Sequence, residues 1–190
     1  MRFPLSLTRA MTAYILRRRL AGQRRFPLVL MLEPLHACNL ACAGCGRIRE
    51  YAAEMHRRLS VEQCLAAAED CGAPIVSICG GEPLIYPEIG ELCRALLTRR
   101  KHLYLCTNGV ALQEKLDRLP RDRRLMINVH VDGMEATHDA IVQRDGVFAA
   151  ASAGIRAAKA AGYRVYTNTT VYKTTEVHEV DVLLAYLAEL

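Results

Sequence analysis

Several features are missing from this 190-residue sequence, and each absence removes a class of protein. No apolar run is long enough to span a bilayer, because arginines interrupt the hydrophobic residues near the amino terminus. The same interruption, with no cleavage site after it, argues against a secretory signal. Internal repeats, low-complexity tracts and Ser/Gly linkers are also lacking. With 52% hydrophobic and 24% charged residues, the composition predicts a globular domain with a real core.

Acidic residues are absent from the first thirty positions, which hold seven arginines. We expect residues 1–26 to form a basic amphipathic segment and residues 27–190 to form the core. The segment has two interpretations: a helix on an anionic membrane surface, or a helix that caps the floor of the fold. Nucleic acid is not expected as a partner, because no reading motif is present. The apolar residues of the segment are Leu7, Met11, Tyr14, Ile15 and Leu20.

The cysteines are not spread evenly. Three of the eight, Cys38, Cys42 and Cys45, follow a C-x₃-C-x₂-C spacing. Without a secretory signal, such clustering favours a reduced cytoplasmic protein over a disulfide framework. Three thiolates on one loop can hold three corners of a four-iron cluster and leave one iron open for a ligand. The alternative is a zinc site of three cysteines and one histidine, with His36 close in sequence.

Apolar runs alternate with helical periods along the rest of the chain, which predicts a parallel α/β fold with right-handed crossovers. Ser60 and Gln63 form a capping box that begins one helix, and Gly72 ends it. The strands are expected at Leu28–Leu32, Ile75–Cys79, Leu103–Thr107, Met126–Val131 and Val165–Val171. The other helices are expected at about Pro87–Arg100, Gln113–Leu119, Val147–Ala161 and Glu176–Leu190.

Each polar motif comes directly after a strand, so these motifs should meet at one edge of the sheet. They are the three cysteines, Glu82, Asn108 and Asp132. The strands also alternate, and one face repeats polar residues on four strands. Because parallel sheets rarely leave a face in water, this face predicts a lumen filled by a ligand. Its members are Ser77, Cys79, Tyr104, Cys106, Asn108, Asn128, His130, Asp132, Tyr166, Asn168 and Thr170.

The run Gly80-Gly81-Glu82-Pro83 follows the cysteines at about the distance of one βαβ unit. Glycines let backbone carbonyls approach a ligand ammonium, and Glu82 adds negative charge for the same group. Taken alone, this tetrapeptide is an ordinary strand-to-helix turn. Together with the cysteine triplet, it resembles the radical S-adenosylmethionine (SAM) superfamily.

Further segments resemble the hopanoid-biosynthesis branch of that superfamily, the adenosylhopane synthases. They are Pro27–Leu35, Cys38–Gly46, Arg58–Glu62, Gly72–Ile78, Tyr104–Asn108, Val129–Gly133 and His138-Asp139. Many radical SAM enzymes have an aromatic residue just before the third cysteine, whereas this chain has Gly44, as that branch does. The resemblance implies a partial parallel (β/α)₆ barrel. Five strands are predicted here, so a sixth strand and a C-terminal domain are expected to be absent from this chain.

The resemblance also implies cofactors, partners and site residues. Cys38, Cys42 and Cys45 would bind a 4Fe–4S cluster, and the open iron would chelate SAM. Gly80, Gly81 and Glu82 would hold the SAM amine, with electrons from a donor such as flavodoxin or ferredoxin. Further SAM contacts are expected from Asn108, His130, Asp132, Asn168 and Arg144.

The implied reaction adds a 5′-deoxyadenosyl radical to the alkene of a hopene lipid. Cys106, on the predicted lumen face, would give a hydrogen atom to the resulting carbon radical. The expected location is cytoplasmic, with peripheral contact at the inner face of the membrane. The alternatives are a radical SAM enzyme acting on another lipid or a peptide, and a non-catalytic fragment or zinc module.

Overall fold

The computed structural model describes residues 4–46 and 50–190, and it confirms the predicted α/β class. Five parallel strands form one sheet in the order β1-β2-β3-β4-β5, so each strand lies beside its neighbours in sequence. This order places every connection on the same side of the sheet, as right-handed crossovers require. The strands are β1 (Val29–Leu32), β2 (Ile75–Ile78), β3 (His102–Thr107), β4 (Leu125–His130) and β5 (Arg164–Asn168).

Helices connect the strands and cover the outer face of the sheet. The predicted capping box of α2 is present: Ser60 accepts a bond from the Gln63 backbone, and the Gln63 side chain accepts one from the Ser60 backbone. Gly72 ends this helix with φ 66°, in the left-handed region that glycine tolerates. The helices are α1 (Leu5–Leu20), α2 (Val61–Cys71), α3 (Ile89–Thr98), α4 (Leu112–Lys115), α5 (Glu135–Val142), α6 (Val147–Ala160) and α7 (Val177–Glu189).

The two faces of the sheet differ as the alternation predicted. The outer face packs against the helices in the main core, which contains Val76, Ile78, Leu103, Leu105, Ile127 and Val129. The inner face carries the polar side chains. The prediction for β5 was wrong at its end, because the strand stops at Asn168 and Val171 is exposed. Beyond Asn168, the Thr170 backbone donates to the Asp132 carboxylate instead of continuing the ladder.

Helix α5 was not predicted from the sequence. Its first residues have no capping side chain of their own. Instead, Glu179 of α7 accepts bonds from the Met134 backbone at 2.9 Å and from the Thr137 hydroxyl at 2.9 Å. A cap that comes from forty-five residues away leaves no local sequence signal.

Helix α1 lies against the floor of the sheet, the edge at which the strands begin. Leu7 is buried against Ile75 and Met126. Met126 lies on the same face of the sheet as the polar strand residues. Tyr14 is also buried and donates to the Pro27 carbonyl at 2.8 Å. This contact agrees with the floor-capping interpretation of the basic segment. No helix in the described ranges combines the length and apolar character needed to cross a membrane.

Candidate cofactor site

The carboxyl ends of β1 to β4 bring the predicted motifs together. The cysteine loop follows β1, the Gly-Gly-Glu-Pro turn follows β2, Asn108 follows β3 and Asp132 follows β4. Strand neighbours in a parallel sheet end on the same side, so these four segments meet at one edge. The site therefore depends on strand order rather than on proximity in sequence.

Backbone bonds join the Gly-Gly-Glu-Pro turn to the start of the cysteine loop. The Gly81 amide donates to the Leu35 carbonyl at 3.0 Å, and the Glu82 amide donates to the Ala37 carbonyl at 2.9 Å. A Cβ on Gly81 would lie 1.8 Å from the Ala37 oxygen, and Gly80 adopts φ +112°. Both glycines are thus required by the close approach of two protein segments. Their predicted contact with the SAM amine remains a prediction.

The Glu82 carboxylate is buried, with 1% of its surface exposed, and it accepts three hydrogen bonds. The donors are the Leu84 amide at 2.9 Å, the Thr107 hydroxyl at 2.7 Å and the Asn108 amide at 2.8 Å. Burial raises the pKa of Glu82, while these donors oppose the rise. The side chain therefore joins the end of β2 to the end of β3. Its expected contact with a ligand amine stays a prediction.

The cysteine loop is fixed on two sides. Asn108 donates from its side chain to the Asn39 side chain at 2.7 Å, which connects the loop to β3. The Ala43 amide donates to the Ile141 carbonyl at 2.9 Å, which connects it to α5. Asn39 was missed by the sequence reasoning, although it lies between two of the cysteines. Leu40 of the loop also packs in a small apolar cluster with Val142 and Val147.

The three predicted cluster cysteines are half-buried and close enough to affect one another's charge. Burial raises the pKa of the Cys42 thiol to about 11, and the charges of Cys38 and Cys45 add to the rise. Burial likewise raises the pKa of Cys38. Three such thiolates repel one another unless a cation lies between them. The donor set therefore fits an iron–sulfur cluster, whose irons would offset this repulsion.

A single zinc ion fits this loop less well. Around one zinc, sulfur atoms lie only about 3.8 Å apart, given Zn–S bonds of about 2.3 Å in a tetrahedron. Across residues 4–46 and 50–190, no three Cys, His, Asp or Glu side chains are grouped for one metal ion. His36, the fourth ligand in the zinc alternative, stacks on Tyr51 with ring centroids 5.0 Å apart. In a cube each thiolate binds a separate iron, so the three sulfurs need not meet at one metal ion.

Below the cysteine loop, a chain of hydrogen bonds follows the inner face of the sheet. The Asn128 amide donates to the Asn168 oxygen at 3.2 Å, and the Asn168 amide bonds to Nδ1 of His130 at 2.9 Å. Because Nδ1 then accepts, Nε2 carries the proton and donates to Asp132 at 2.6 Å. The structure thus brings His130, Asp132 and Asn168 into one network, as the polar stripe predicted.

Asp132 is the end of this network and lies near the cysteine loop. Burial alone would raise the pKa of Asp132, but bonds from His130 and the Thr170 backbone hold it below its usual value. The carboxylate stays ionised, and its charge in turn helps raise the pKa of Cys42. A negative group is therefore held beside the site of the cluster.

Cys106 lies on the same inner face, two residues before Asn108. Its sulfur is 3.4 Å from the Ser77 hydroxyl and 3.8 Å from the Asn128 amide nitrogen. The thiol is half-buried. Two residues of a strand span about 7 Å, so Cys106 is one step below the residue that contacts the cysteine loop.

Arg144 is placed differently from the other predicted residues. It follows α5 and is exposed, and its side chain makes no hydrogen bond or ion pair with any residue that the structure describes. Arg144 lies in the loop after His138-Asp139, as predicted, in the turn between α5 and α6. Asp139 fixes this turn by accepting bonds from the Gly146 and Phe148 amides. The expected pairing of Arg144 with the SAM carboxylate remains a prediction.

We expect Glu82→Ala to lower the free energy of unfolding by about 3–5 kcal/mol, because three buried donors lose their acceptor. Glu82→Gln keeps one oxygen and should cost about 1.5–3 kcal/mol. Urea unfolding measures both changes, with the exposed Glu91→Ala as a control within about 0.5 kcal/mol of wild type. Wild-type stability of Glu82→Ala would show that this carboxylate does not brace the site.

Comparison with solved structures agrees with the fold. The structure of Streptococcus suis SuiB bound to S-adenosylmethionine matches with a TM-score of 0.71 at 20% identity, covering 94% of this chain and 42% of that one. The structure of anSMEcpe with bound AdoMet matches with a TM-score of 0.63 at 17% identity, covering 86% of this chain and 49% of that one. At these identities the likeness shows the fold alone.

Curated proteins with similar sequences are enzymes of several kinds. An AdoMet-dependent heme synthase of Methanosarcina barkeri is 30% identical, over 77% of this chain and 43% of its own length. A GTP 3′,8-cyclase 2 of Mycobacterium bovis is 32% identical, over 80% and 44%. A pre-heme d1 synthase of Dinoroseobacter shibae is 29% identical, over 73% and 35%. The chain thus spans less than half the length of these relatives.

Comparison with models of protein families assigns most of the chain to one family. The profile of the radical SAM superfamily matches residues 32–187, which include the cysteine loop, the Gly-Gly-Glu-Pro turn and strands β2 to β5. Members of this superfamily bind a 4Fe–4S cluster and SAM. The cysteine loop described above has the donors for that cluster, and the chain belongs to the radical SAM superfamily.

Proposed function

We propose that this protein adds the 5′-deoxyadenosyl group of SAM to the alkene of a hopene lipid and so forms adenosylhopane. When bound, the cluster and SAM supply the adenosyl radical. Cys38, Cys42 and Cys45 would hold the cluster. The observation that carries the proposal is Cys106, a thiol on the inner face of the sheet directly below the cysteine loop.

A thiol in this place suits the last step of such an addition. Radical addition to a terminal alkene leaves a tertiary carbon radical, and a saturated product needs one hydrogen atom. The S–H bond of Cys106 is weaker than the C–H bond formed, so the transfer is downhill. The cysteine becomes a thiyl radical, which regains one electron and one proton from the external electron donor and solvent. Each turnover then begins with the same thiol.

The inner face changes character from the carboxyl ends of the strands to the floor. The polar network is at the upper end, whereas Tyr104 and Met126 lie nearer the floor and pack with Leu7 and Met11 of α1. An apolar cavity of about 320 Å³ opens between α1 and the floor, beside Tyr104. This gradient supports a charged cofactor above and a hydrocarbon below, with Cys106 between them.

The likeness to adenosylhopane synthases supports a hopene substrate. The run Tyr104-Leu105-Cys106-Thr107-Asn108 is among the segments that carry this likeness. Superfamily membership alone does not set the substrate, because the curated relatives carry the names of heme synthases and a GTP cyclase. Another lipid or a peptide is the alternative substrate. A solved SuiB structure is bound to a precursor peptide, but its 20% identity concerns the fold alone.

Helix α1 suits a substrate that dissolves in a membrane. One side of the helix packs on the floor through Leu7 and Tyr14, while Arg9, Arg17 and Arg19 are exposed. Leu16 and Leu20 are exposed as well, at 56% and 88% of their surfaces. Exposed arginines beside exposed leucines favour an anionic lipid surface. The helix can cap the floor and contact a membrane at the same time.

Anaerobic reconstitution with iron and sulfide should give about four irons and four sulfides per chain, because three thiolates complete a cube with one open iron. Replacing Cys38, Cys42 or Cys45 with alanine should each reduce the iron and sulfide content severely. Cys71→Ala, a half-buried cysteine on α2, is the matched control and should load normally. Stoichiometric zinc without sulfide in the wild-type protein would favour the zinc module.

Replacing Arg9, Arg17 and Arg19 with glutamine should weaken flotation with anionic liposomes, because each arginine near the surface contributes about 1 kcal/mol. Binding by the wild type should also fall as salt rises. Loss of the same charge at the opposite edge, where the strands end, is the control and should leave flotation unchanged; those changes are Arg57→Gln, Arg144→Gln and Lys173→Gln. Equal flotation of both triple variants, or none by the wild type, would leave α1 as a floor cap alone.

Cys106→Ala in the active, reconstituted enzyme should leave SAM cleavage intact while the saturated adduct falls by an order of magnitude or more. The carbon radical then has no hydrogen donor, so unsaturated or otherwise diverted products should appear. Mass spectrometry after anaerobic incubation with SAM, reductant and hopene measures all of them, with Cys71→Ala as the control. A normal rate of adduct formation by Cys106→Ala would show that another group, such as Tyr104 or Tyr166, is the donor.

A further inference from the structure

Gly44, the residue just before the third cysteine, has a ring packed against it. A Cβ built on Gly44 would lie 3.0 Å from both Cε1 and Oη of Tyr172, and 3.4 Å from Cζ. The ring thus occupies the space that a side chain at position 44 would need. Glycine here is explained by a close approach, and the approaching residue is 128 positions later in the sequence.

Tyr172 is held in this position by its own segment. Its amide donates to the Thr175 hydroxyl at 2.9 Å, and its carbonyl accepts from the Thr175 amide at 3.0 Å. These two bonds close a turn directly after β5. The turn fixes the backbone of Tyr172, so the position of this residue does not depend on the cysteine loop alone.

The phenol end of Tyr172 lies among the site residues. Burial raises the pKa of Tyr172, and the charges of Asp132 and Cys42 add to the rise. The ring therefore lies between Gly44 of the cysteine loop and Asp132 at the end of the polar network, within reach of the charge of Cys42.

We propose that Tyr172 is a binding residue for SAM, and that its ring forms the aromatic wall beside the cluster that contacts the adenosyl group. This rests on the cofactor pair of the proposed function and not on its hopene substrate. A purine presents a flat π-face, and an aromatic side chain at the edge of a site is the group that recognises such a face. The three atoms nearest to a Cβ at Gly44 all belong to the ring of Tyr172.

Gly44 and Tyr172 then act as a pair. The glycine leaves room, and the tyrosine supplies, from the segment after β5, the ring that position 44 itself lacks. An aromatic residue at 44 would collide with Tyr172 as it stands, whereas it would fit if Tyr172 were small. A ligand wall is distinguished from simple packing by whether the exchange of the two residues restores SAM affinity and not only stability.

The test is SAM affinity of the anaerobically reconstituted protein, measured by equilibrium dialysis without reductant and normalised to iron content. Tyr172→Ala and Tyr172→Leu should each weaken SAM binding by on the order of tenfold, because stacking on a base is lost. Leucine keeps bulk against Gly44, so this variant stays informative if the alanine variant loses its cluster. Tyr172→Phe keeps the ring and should bind within about threefold of wild type.

Two further variants separate a wall from packing. Phe26→Ala removes an aromatic ring that packs against Tyr14 at the floor, and it should leave SAM affinity unchanged. Gly44→Phe should weaken binding, and the double variant Gly44→Phe, Tyr172→Ala should recover most of it. Wild-type SAM affinity per loaded cluster in Tyr172→Leu, with only lower iron retention, would overturn the proposal. Failure of hopene adenosylation would leave this result untouched, since no substrate is present.

Discussion

One buried carboxylate holds the site together. Glu82 accepts hydrogen bonds from its own turn and from two residues at the end of β3, while Asn108 at that end binds Asn39 in the cysteine loop. Three segments that follow three different strands are thereby fixed relative to one another. Because a buried charge is costly unless its bonds are complete, the loop has few alternative positions. The positions of the three cysteines therefore depend on the hydrogen bonds of Glu82 and Asn108.

The parallel order of the strands positions the remaining residues of the site. Each strand delivers one functional segment to the same edge, and each inner-face residue lies beside its neighbour in register, as Cys106 does beside Asn128. The inner face can therefore carry a continuous polar network, which Asp132 and the Thr170 backbone complete just beyond the ends of β4 and β5. The same register brings Tyr104 beside Met126 near the floor, where both side chains pack with Leu7 of α1. The inner face is thus polar where the strands end and more apolar where Tyr104 and Met126 meet α1.

Local sequence signals predicted much of this arrangement and failed where distant residues decide. The capping box at Ser60 and the left-handed end at Gly72 involve neighbours in sequence, so the sequence alone was enough. The start of α5 depends on Glu179, and the bracing of the site depends on Thr107 meeting Glu82, so neither has a local pattern. Gly44 was visible as a departure from a common motif, but only the fold shows the ring of Tyr172 against it.

The hydrogen bonds around Cys106 bear directly on the hydrogen-atom transfer that is proposed for its thiol. The Asn128 amide donates one hydrogen to Asn168 and directs the other at the sulfur, so the sulfur is an acceptor in that contact. The S–H hydrogen is then left with Ser77 or with the lumen, and thiols are weak donors in either case. A hydroxyl at this position would be a stronger donor, held more tightly by its partners, and its O–H bond is too strong to give up a hydrogen atom to a carbon radical. The network positions the sulfur while leaving its hydrogen available, which is the combination that the proposed transfer needs.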